Sequence, residues 1–158
     1  MTGSPAVTVV YVPLAGAVVG LEAVPDPVFS AGMVGPGMAI DPFRAPQEAC
    51  APLDGKVVKL HPHAYAVVGA AGRGVLVHLG IDTVELNGAG FELLAAEGTD
   101  VCAGQPMVRW DPAAVEAAGR SPICPVVALD ALSESDDPLA YTVTSGDVRT
   151  GDELFRWL

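Results

Sequence analysis

Two segments of this chain occur twice, and the repeats constrain the fold more than any other feature. PLAGAVVGL at 13–21 returns as PLDGKVVKL at 52–60. DVCAGQPMVRW at 100–110 returns as DVRTGDELFRW at 147–157. Each copy has the pattern of a turn followed by a strand. Because two copies are too few for a solenoid, they indicate a closed sandwich in which each copy buries the apolar face of the other.

Short apolar runs fill much of the remaining sequence, and 18 glycines and 14 prolines separate them. Runs of this length and spacing predict an all-β sandwich or barrel. One short helix is predicted over 111–118, DPAAVEAA, because Asp can cap it and Pro suits its first position. The predicted strands are 7–12, 38–40, 64–68, 75–79, 91–95 and 125–129.

The 158 residues are predicted to form one domain, 1–158, with a loose N-terminus at 1–6. Neither the loop at 119–122 nor the acidic link ESDDP at 134–138 predicts a domain boundary, because segments beyond them repeat segments before them. The net charge of −11 argues against nucleic acid or an anionic membrane as a partner, since both would repel the chain.

The N-terminal apolar stretch does not have the pattern of a signal peptide or a membrane span. No basic residue precedes Arg44, and a proline and two glycines interrupt the stretch before the roughly 20 residues that a span needs. We therefore expect a soluble, cytoplasmic protein. Three cysteines without a C-x-x-C pair favour a reducing compartment and are interpreted as buried or inert thiols. They are Cys50, Cys102 and Cys124.

All three histidines lie in one stretch, HPHAYAVVGAAGRGVLVHLGID at 61–82. A hairpin at the Gly/Ala/Arg link inside it would bring the histidines together. Strict alternation in VLVHL at 75–79 points His78 away from the core, and Asp82 follows in the next turn. Imidazole can be a nucleophile toward phosphorus, a general base or a metal ligand.

All three chemistries remain open from these residues, and for two of them specific roles can be assigned. Zinc would suit a ligand set of His61, His63, His78 and Asp82. Phosphoryl transfer needs less, namely one free ring nitrogen, an acceptor that fixes the tautomer and a donor for the phosphoryl charge. The backbone carbonyl of Gly80 could be that acceptor to His78, and His63 could be that donor.

Four segments carry a resemblance to a known family: VPDPVFSAGMVGPGMAIDP (24–42), APLDGKVVKLHPHAYAV (51–67), VLVHLGIDTVELNGAGF (75–91) and EGTDVCAGQPMVRWD (97–111). In them the chain resembles the glucose-type enzyme IIA of the bacterial carbohydrate phosphotransferase system. The segments run in the family's order and cover nearly the whole chain. The resemblance implies an antiparallel β-sandwich with a small helix and two histidines in one shallow depression.

The resemblance also implies roles for single residues. His78 would accept a phosphoryl group at Nε2 from the phosphohistidine of the carrier protein HPr and pass it to a cysteine of an enzyme IIB domain. His63 would stabilise the phosphoryl charge. The implied activity is that of a phosphotransferase without a required cofactor, and regulatory targets are further implied partners. Zinc at His63 and His78 is also consistent with the family.

An apolar ring in this family docks both partners in turn, and by position it maps here to a set of six residues. Two carboxylates, Asp26 and Asp82, would frame the ring and meet basic side chains of HPr, because opposite charge speeds encounter. The six ring residues are Val28, Phe29, Met33, Val34, Leu76 and Val84.

One position departs from the family pattern. The residue two before the second histidine is commonly threonine, whereas this chain has His61 followed by Pro62. Either His61 replaces the threonine hydroxyl as a hydrogen-bond donor, or it points elsewhere.

Three other functions compete with phosphoryl transfer. One is a purely regulatory interaction protein that keeps the fold and has lost transfer, although the presence of both His63 and His78 argues against that loss. A zinc hydrolase would use H-x-x-x-D at 78–82 with H-x-H at 61–63, although these motifs occur in the reverse of the usual chain order. A biotinyl- or lipoyl-type carrier would need a lysine at a hairpin tip, whereas Lys56 and Lys59 are predicted to lie inside a strand.

Overall fold

Antiparallel β-strands make up most of the described part of the chain, which in the computed structural model is residues 7–129 and 138–158. The predicted loose terminus at 1–6 and residues 134–137 of the acidic link lie outside it. The helices are Pro27–Ser30 (α1) and Pro112–Ala117 (α2). The strands are Thr8–Tyr11 (β1), Gly16–Gly20 (β2), Gly37–Pro42 (β3), Gln47–Cys50 (β4), Gly55–His61 (β5), Ala64–Val68 (β6), Gly74–His78 (β7), Glu92–Leu93 (β8), Asp100–Val101 (β9), Pro106–Trp110 (β10), Cys124–Ala128 (β11), Leu139–Tyr141 (β12), Gly146–Val148 (β13) and Glu153–Trp157 (β14).

The strand order shows the internal duplication directly. The eight-stranded sheet has the order β13-β2-β3-β11-β7-β6-β5-β9, and two three-stranded sheets have the orders β1-β14-β12 and β4-β10-β8. Each strand of one half has an equivalent in the other: β1, β2 and β3 correspond to β4, β5 and β6, and β11–β14 correspond in order to β7–β10. When every strand is replaced by its equivalent, the large sheet keeps its order, read from the other edge, and the two small sheets change places. The predicted antiparallel β-sandwich with internal duplication and short helical turns is confirmed.

The repeated PLxG motif marks the place where each half starts its first strand in the large sheet. β2 begins at Gly16 and β5 at Gly55. A Cβ atom at Gly16 would overlap the carbonyl oxygen of Asp41, and one at Gly55 would overlap that of Val68. Each glycine is therefore needed because a neighbouring strand approaches closely, which explains its recurrence in both copies.

Core side chains divide between the two faces of the large sheet. The larger cluster includes Val75, Val77 and Leu79, together with Trp110 and Phe155. The smaller cluster covers the other face, and Leu76 packs against it. The alternation predicted for 75–79 is confirmed, since neighbouring residues of β7 belong to opposite clusters. The smaller cluster consists of Leu21, Val24, Phe29, Ala39, Ile81 and Val127.

An Asp-Pro pair starts each helix. The predicted helix is confirmed as α2, where the Asp111 carboxylate accepts a hydrogen bond of 3.0 Å from the Ala113 amide. Helix α1 was not predicted, although Asp26 caps it in the same way through Val28 N at 2.8 Å. The same Asp-Pro signal at 26–27 could have indicated it, and α1 matters because it carries Phe29 into the smaller cluster.

One predicted strand needs correction. The run at 91–95 forms only the two-residue strand β8, since Phe91 leaves the strand and stacks on Trp110 with ring centroids 5.9 Å apart. Cys50 and Cys124 are buried, as the sequence interpretation allows, and Cys102 is exposed. Desolvation raises the pKa of the Cys50 thiol to about 11.

Candidate functional site

The predicted hairpin between the second and third histidines is present. β6 and β7 pair antiparallel across the turn at 69–73, and Ala64 at the start of β6 lies opposite His78 at the end of β7. The amide of Leu79 also donates to the carbonyl of His63 at 2.7 Å. The end of β7 is therefore fixed directly beside the His61–Ala64 turn.

The motif H-P-H forms the hairpin turn between β5 and β6. β5 ends at His61, which pairs with Ala64, and Pro62 and His63 form the connection. The pairing register of β5 with β6 is irregular between Val57 and Lys59, so the side chains after this point face the opposite side of the sheet from the one that strict alternation would give. As a result Leu60 is buried and His61 is exposed.

The three histidines form a row on one face of the large sheet. His61 pairs with Ala64, and Ala64 pairs with His78, so the outer two histidines are separated by two strand spacings, or about 9.6 Å. The small side chain of Ala64 leaves room between them. The His63 ring lies there, with its centroid 5.6 Å from that of His61 and 5.4 Å from that of His78.

The ring of His78 is held by its own strand end. Its Nδ1 hydrogen-bonds to the carbonyl oxygen of Gly80 at 2.5 Å. With Nδ1 as the donor, Nε2 keeps the lone pair and is the nucleophilic nitrogen. The following turn is anchored by Ile81 N to Ser121 O at 2.8 Å and by the buried Thr83 hydroxyl to Leu79 O at 2.7 Å. Thr83 and Ser121 were not singled out from the sequence, because a lone hydroxyl residue carries no distinguishing pattern.

Burial favours the neutral form of His63 and His78. Desolvation lowers the pKa of His78 below its usual range, although the Gly80 carbonyl and the nearby Asp26 and Asp82 oppose that shift. Desolvation also lowers the pKa of His63, and the neighbouring His78 and His61 lower it further. A neutral His78 retains its lone pair at physiological pH, as a nucleophile requires.

The lowered pKa values predict acid-sensitive folding. Below the ordinary histidine pKa of 6.5 the unfolded chain binds protons that the folded chain does not, so the free energy of unfolding falls as pH falls. Urea unfolding at about pH 7.5 and about pH 5.5 measures the loss. We expect a smaller loss in His78→Gln, and an equal loss in both proteins would contradict the prediction.

One residue of the predicted apolar docking ring contacts the histidine row. Phe29 of α1 is nearly buried and meets the His78 ring edge-on, with centroids 5.3 Å apart. Three other residues of the predicted docking ring have exposed side chains, namely Val28 (45%), Met33 (67%) and Val84 (57%). Val34 and Leu76 are half-buried and pack against the smaller core cluster.

The zinc ligand set weighed from the sequence is not assembled. Within residues 7–129 and 138–158, no group of three or more His, Cys, Asp or Glu side chains is placed to hold a metal ion. The rings of His61 and His63 lie within 18° of parallel, so their lone pairs do not converge on one point. Zinc bound by His63 and His78 alone stays a prediction.

Comparisons with known proteins agree with this architecture. Residues 8–133 match the family model described as phosphoenolpyruvate-dependent sugar phosphotransferase system, EIIA 1. The chain is 39% identical over 120 residues to a PTS system glucose-specific EIIA component of Staphylococcus epidermidis, covering 75% of this chain and 71% of that protein. It is 43% identical over 142 residues to a PTS system N-acetylglucosamine-specific EIICBA component of Klebsiella pneumoniae, covering 88% of this chain and 21% of that protein.

A solved structure extends the agreement to the whole chain. Glucose permease IIA from Mycoplasma capricolum superposes with a TM-score of 0.84 at 30% sequence identity, and all of both chains is covered. Fold and relatives together define a component of a sugar phosphotransferase system. Within that class, the chain belongs to the EIIA 1 family, and its resemblance to glucose-type enzyme IIA is confirmed.

The family match leaves the zinc-hydrolase alternative without support. Lys56 and Lys59 lie inside β5, which also argues against a lysine-linked carrier. In the described ranges, no helix is both long and apolar enough to cross a membrane.

Proposed function

We propose that this chain is a phosphocarrier in which His78 takes a phosphoryl group from phosphorylated HPr and passes it to a cysteine of an enzyme IIB domain. The observation that carries the proposal is the hydrogen bond from His78 Nδ1 to the Gly80 carbonyl, because it leaves Nε2 as the nucleophile. The Klebsiella pneumoniae relative, named an EIICBA component, supports an enzyme IIB partner. In this scheme the chain is a single cytoplasmic domain that carries the phosphoryl group from one partner to the other.

Each transfer exchanges one bond to phosphorus for another. The His78 Nε2 lone pair attacks phosphorus, the P–N bond of the donor phosphohistidine breaks, and the donor imidazole leaves. In the second step a cysteine thiolate of enzyme IIB attacks the same phosphorus, and the bond to His78 breaks. The proton stays on Nδ1 of His78, which donates it to the Gly80 carbonyl throughout, so no proton has to move within His78.

His63 is proposed to stabilise the transferring group. Its ring centroid lies 5.4 Å from that of His78 at an angle of 65°, an edge-on approach that allows a ring N–H to reach a phosphoryl oxygen. We expect His63→Ala to take label on His78 but to transfer it to enzyme IIB about ten- to a hundredfold more slowly, the value of one charge-assisted hydrogen bond. Single-turnover transfer measures this, and a wild-type transfer rate would contradict the role of His63.

The exposed apolar residues around the histidines are proposed to dock HPr and enzyme IIB, with Asp26 and Asp82 at the edge. Met33 is the most exposed of them at 67%. We expect Met33→Glu to raise KM for phosphorylated HPr about tenfold, because burying a methionine contributes about 1.5–3 kcal/mol. The maximal rate should change little, since the substitution leaves the His78 ring and its hydrogen bond to Gly80 in place.

Leu93→Glu is a matched control for that substitution. Leu93 is 47% exposed on β8, a strand of a different sheet from His78. Its KM should equal that of the wild type. Equal KM values for Met33→Glu and Leu93→Glu would remove Met33 from the docking surface.

A further inference from the structure

His61 occupies a place that the roles of His63 and His78 leave unexplained. It is the last residue of β5, it is exposed, and its ring stacks on that of His63 at 5.6 Å and 18°. It occupies the position where the family commonly has a threonine. A stacked imidazole ring cannot act in the same way as a threonine hydroxyl that donates a hydrogen bond, so the function of His61 needs its own explanation.

The rings of His63 and His78 are held in different ways. His78 has a hydrogen bond from Nδ1 to the Gly80 carbonyl. Among residues 7–129 and 138–158, no hydrogen bond is found to either ring nitrogen of His63. The orientation of the His63 ring therefore depends on packing, and the His61 ring covers one of its faces.

The backbone makes that packing reproducible. Pro62 limits the turn conformation and lies against Gly88, where an added Cβ would be 3.4 Å from the proline Cγ. The irregularity in β5 after Val57 places His61 on the same face as His78, and Ala64 leaves the space for the ring between them. Without the irregularity, strict alternation would turn His61 to the other face of the sheet.

We propose that His61 is a positioning residue that fixes the His63 ring by stacking, so that the edge of His63 stays directed at the phosphoryl group on His78. This inference rests on the proposed phosphocarrier function. His61 itself does not contact the reacting atoms. Its planar ring is the required feature, and its nitrogens are not.

The test compares three variants in the intact chain. His61→Ala removes the stacking ring, His61→Phe keeps a flat ring without nitrogens, and Lys59→Ala changes another exposed residue on the same face of β5. We expect all three to take label on His78 to the wild-type extent. Transfer to enzyme IIB should slow roughly three- to tenfold in His61→Ala, because the His63 side chain then samples its other staggered rotamers. His61→Phe and Lys59→Ala should transfer at the wild-type rate.

A second readout does not depend on transfer. The imidazole nitrogen resonances of His63, recorded by NMR without phosphorylation, should shift or broaden in His61→Ala but stay sharp in His61→Phe. A wild-type transfer rate together with unchanged resonances in His61→Ala would overturn the proposal. Equally slow transfer in His61→Phe would overturn the stacking role, because it would show that the imidazole nitrogens are needed. If the wild-type protein takes no label, the phosphocarrier function fails, and the resonances still decide whether His61 fixes His63.

Discussion

His78→Ala should take no phosphoryl label from phosphoenolpyruvate in the presence of enzyme I and HPr. The substitution removes the nitrogen that would form the bond to phosphorus, and no change in conditions can replace it. His78 is the histidine whose tautomer is fixed, through Nδ1 and the Gly80 carbonyl. We therefore expect labelling to fall below detection, which is a larger effect than that of any docking or positioning substitution.

Two measurements keep that result interpretable. His78→Ala should retain the circular dichroism spectrum of the wild type, because the His78 ring lies outside both core clusters. Lys56→Ala, an exposed substitution in β5, should label at the wild-type rate. Labelling of His78→Ala with an acid-labile phosphoryl group would mean that another histidine is the acceptor.

Gly80→Ala should lower the free energy of unfolding by about 2–6 kcal/mol. Gly80 has φ +78°, where a non-glycine residue is strained by about 1–3 kcal/mol. The new Cβ would also lie 2.6 Å from Thr83 Cγ2 and 2.8 Å from the Ser121 carbonyl oxygen, and such overpacking costs about 1–3 kcal/mol more. Urea unfolding measures the change.

Gly98→Ala separates the two contributions. Gly98 has φ +83°, but an added Cβ there would have nothing within 4 Å. Its loss should therefore reflect backbone strain alone and be about 2 kcal/mol smaller than that of Gly80→Ala. Equal losses would show that Thr83 and Ser121 do not pack tightly against Gly80. Gly80→Ala should also slow labelling, because the turn that supplies the carbonyl to His78 has to move.

The repeated segments predicted much of the fold because they recur for a structural reason. The glycines of PLxG recur at Gly16 and Gly55 because a neighbouring strand passes close to each of them. Alternation in 75–79 was enough to place His78 on the face opposite the larger core cluster, since the side-chain period of a strand is two. Helix α1 was missed because its four residues are too few to show helical periodicity.

The histidine row could not be predicted from spacing. Strict alternation would have turned His61 to the other face of the sheet, and the irregularity in β5 reverses that at Lys59. Nothing in the sequence marks this irregularity. The space over Ala64 depends on pairing between three strands, and such long-range register is not contained in the local sequence of any one of them.

The most direct test of the phosphocarrier function is to map the phosphorylated atom. The wild-type chain is phosphorylated with enzyme I, HPr and phosphoenolpyruvate, kept at alkaline pH because phosphoimidazole is acid-labile, and examined by peptide mapping and phosphorus NMR. The proposed function predicts one phosphoryl group on Nε2 of His78. A phosphoryl group on His63 or His61, on Nδ1 of His78, or on no histidine would contradict it.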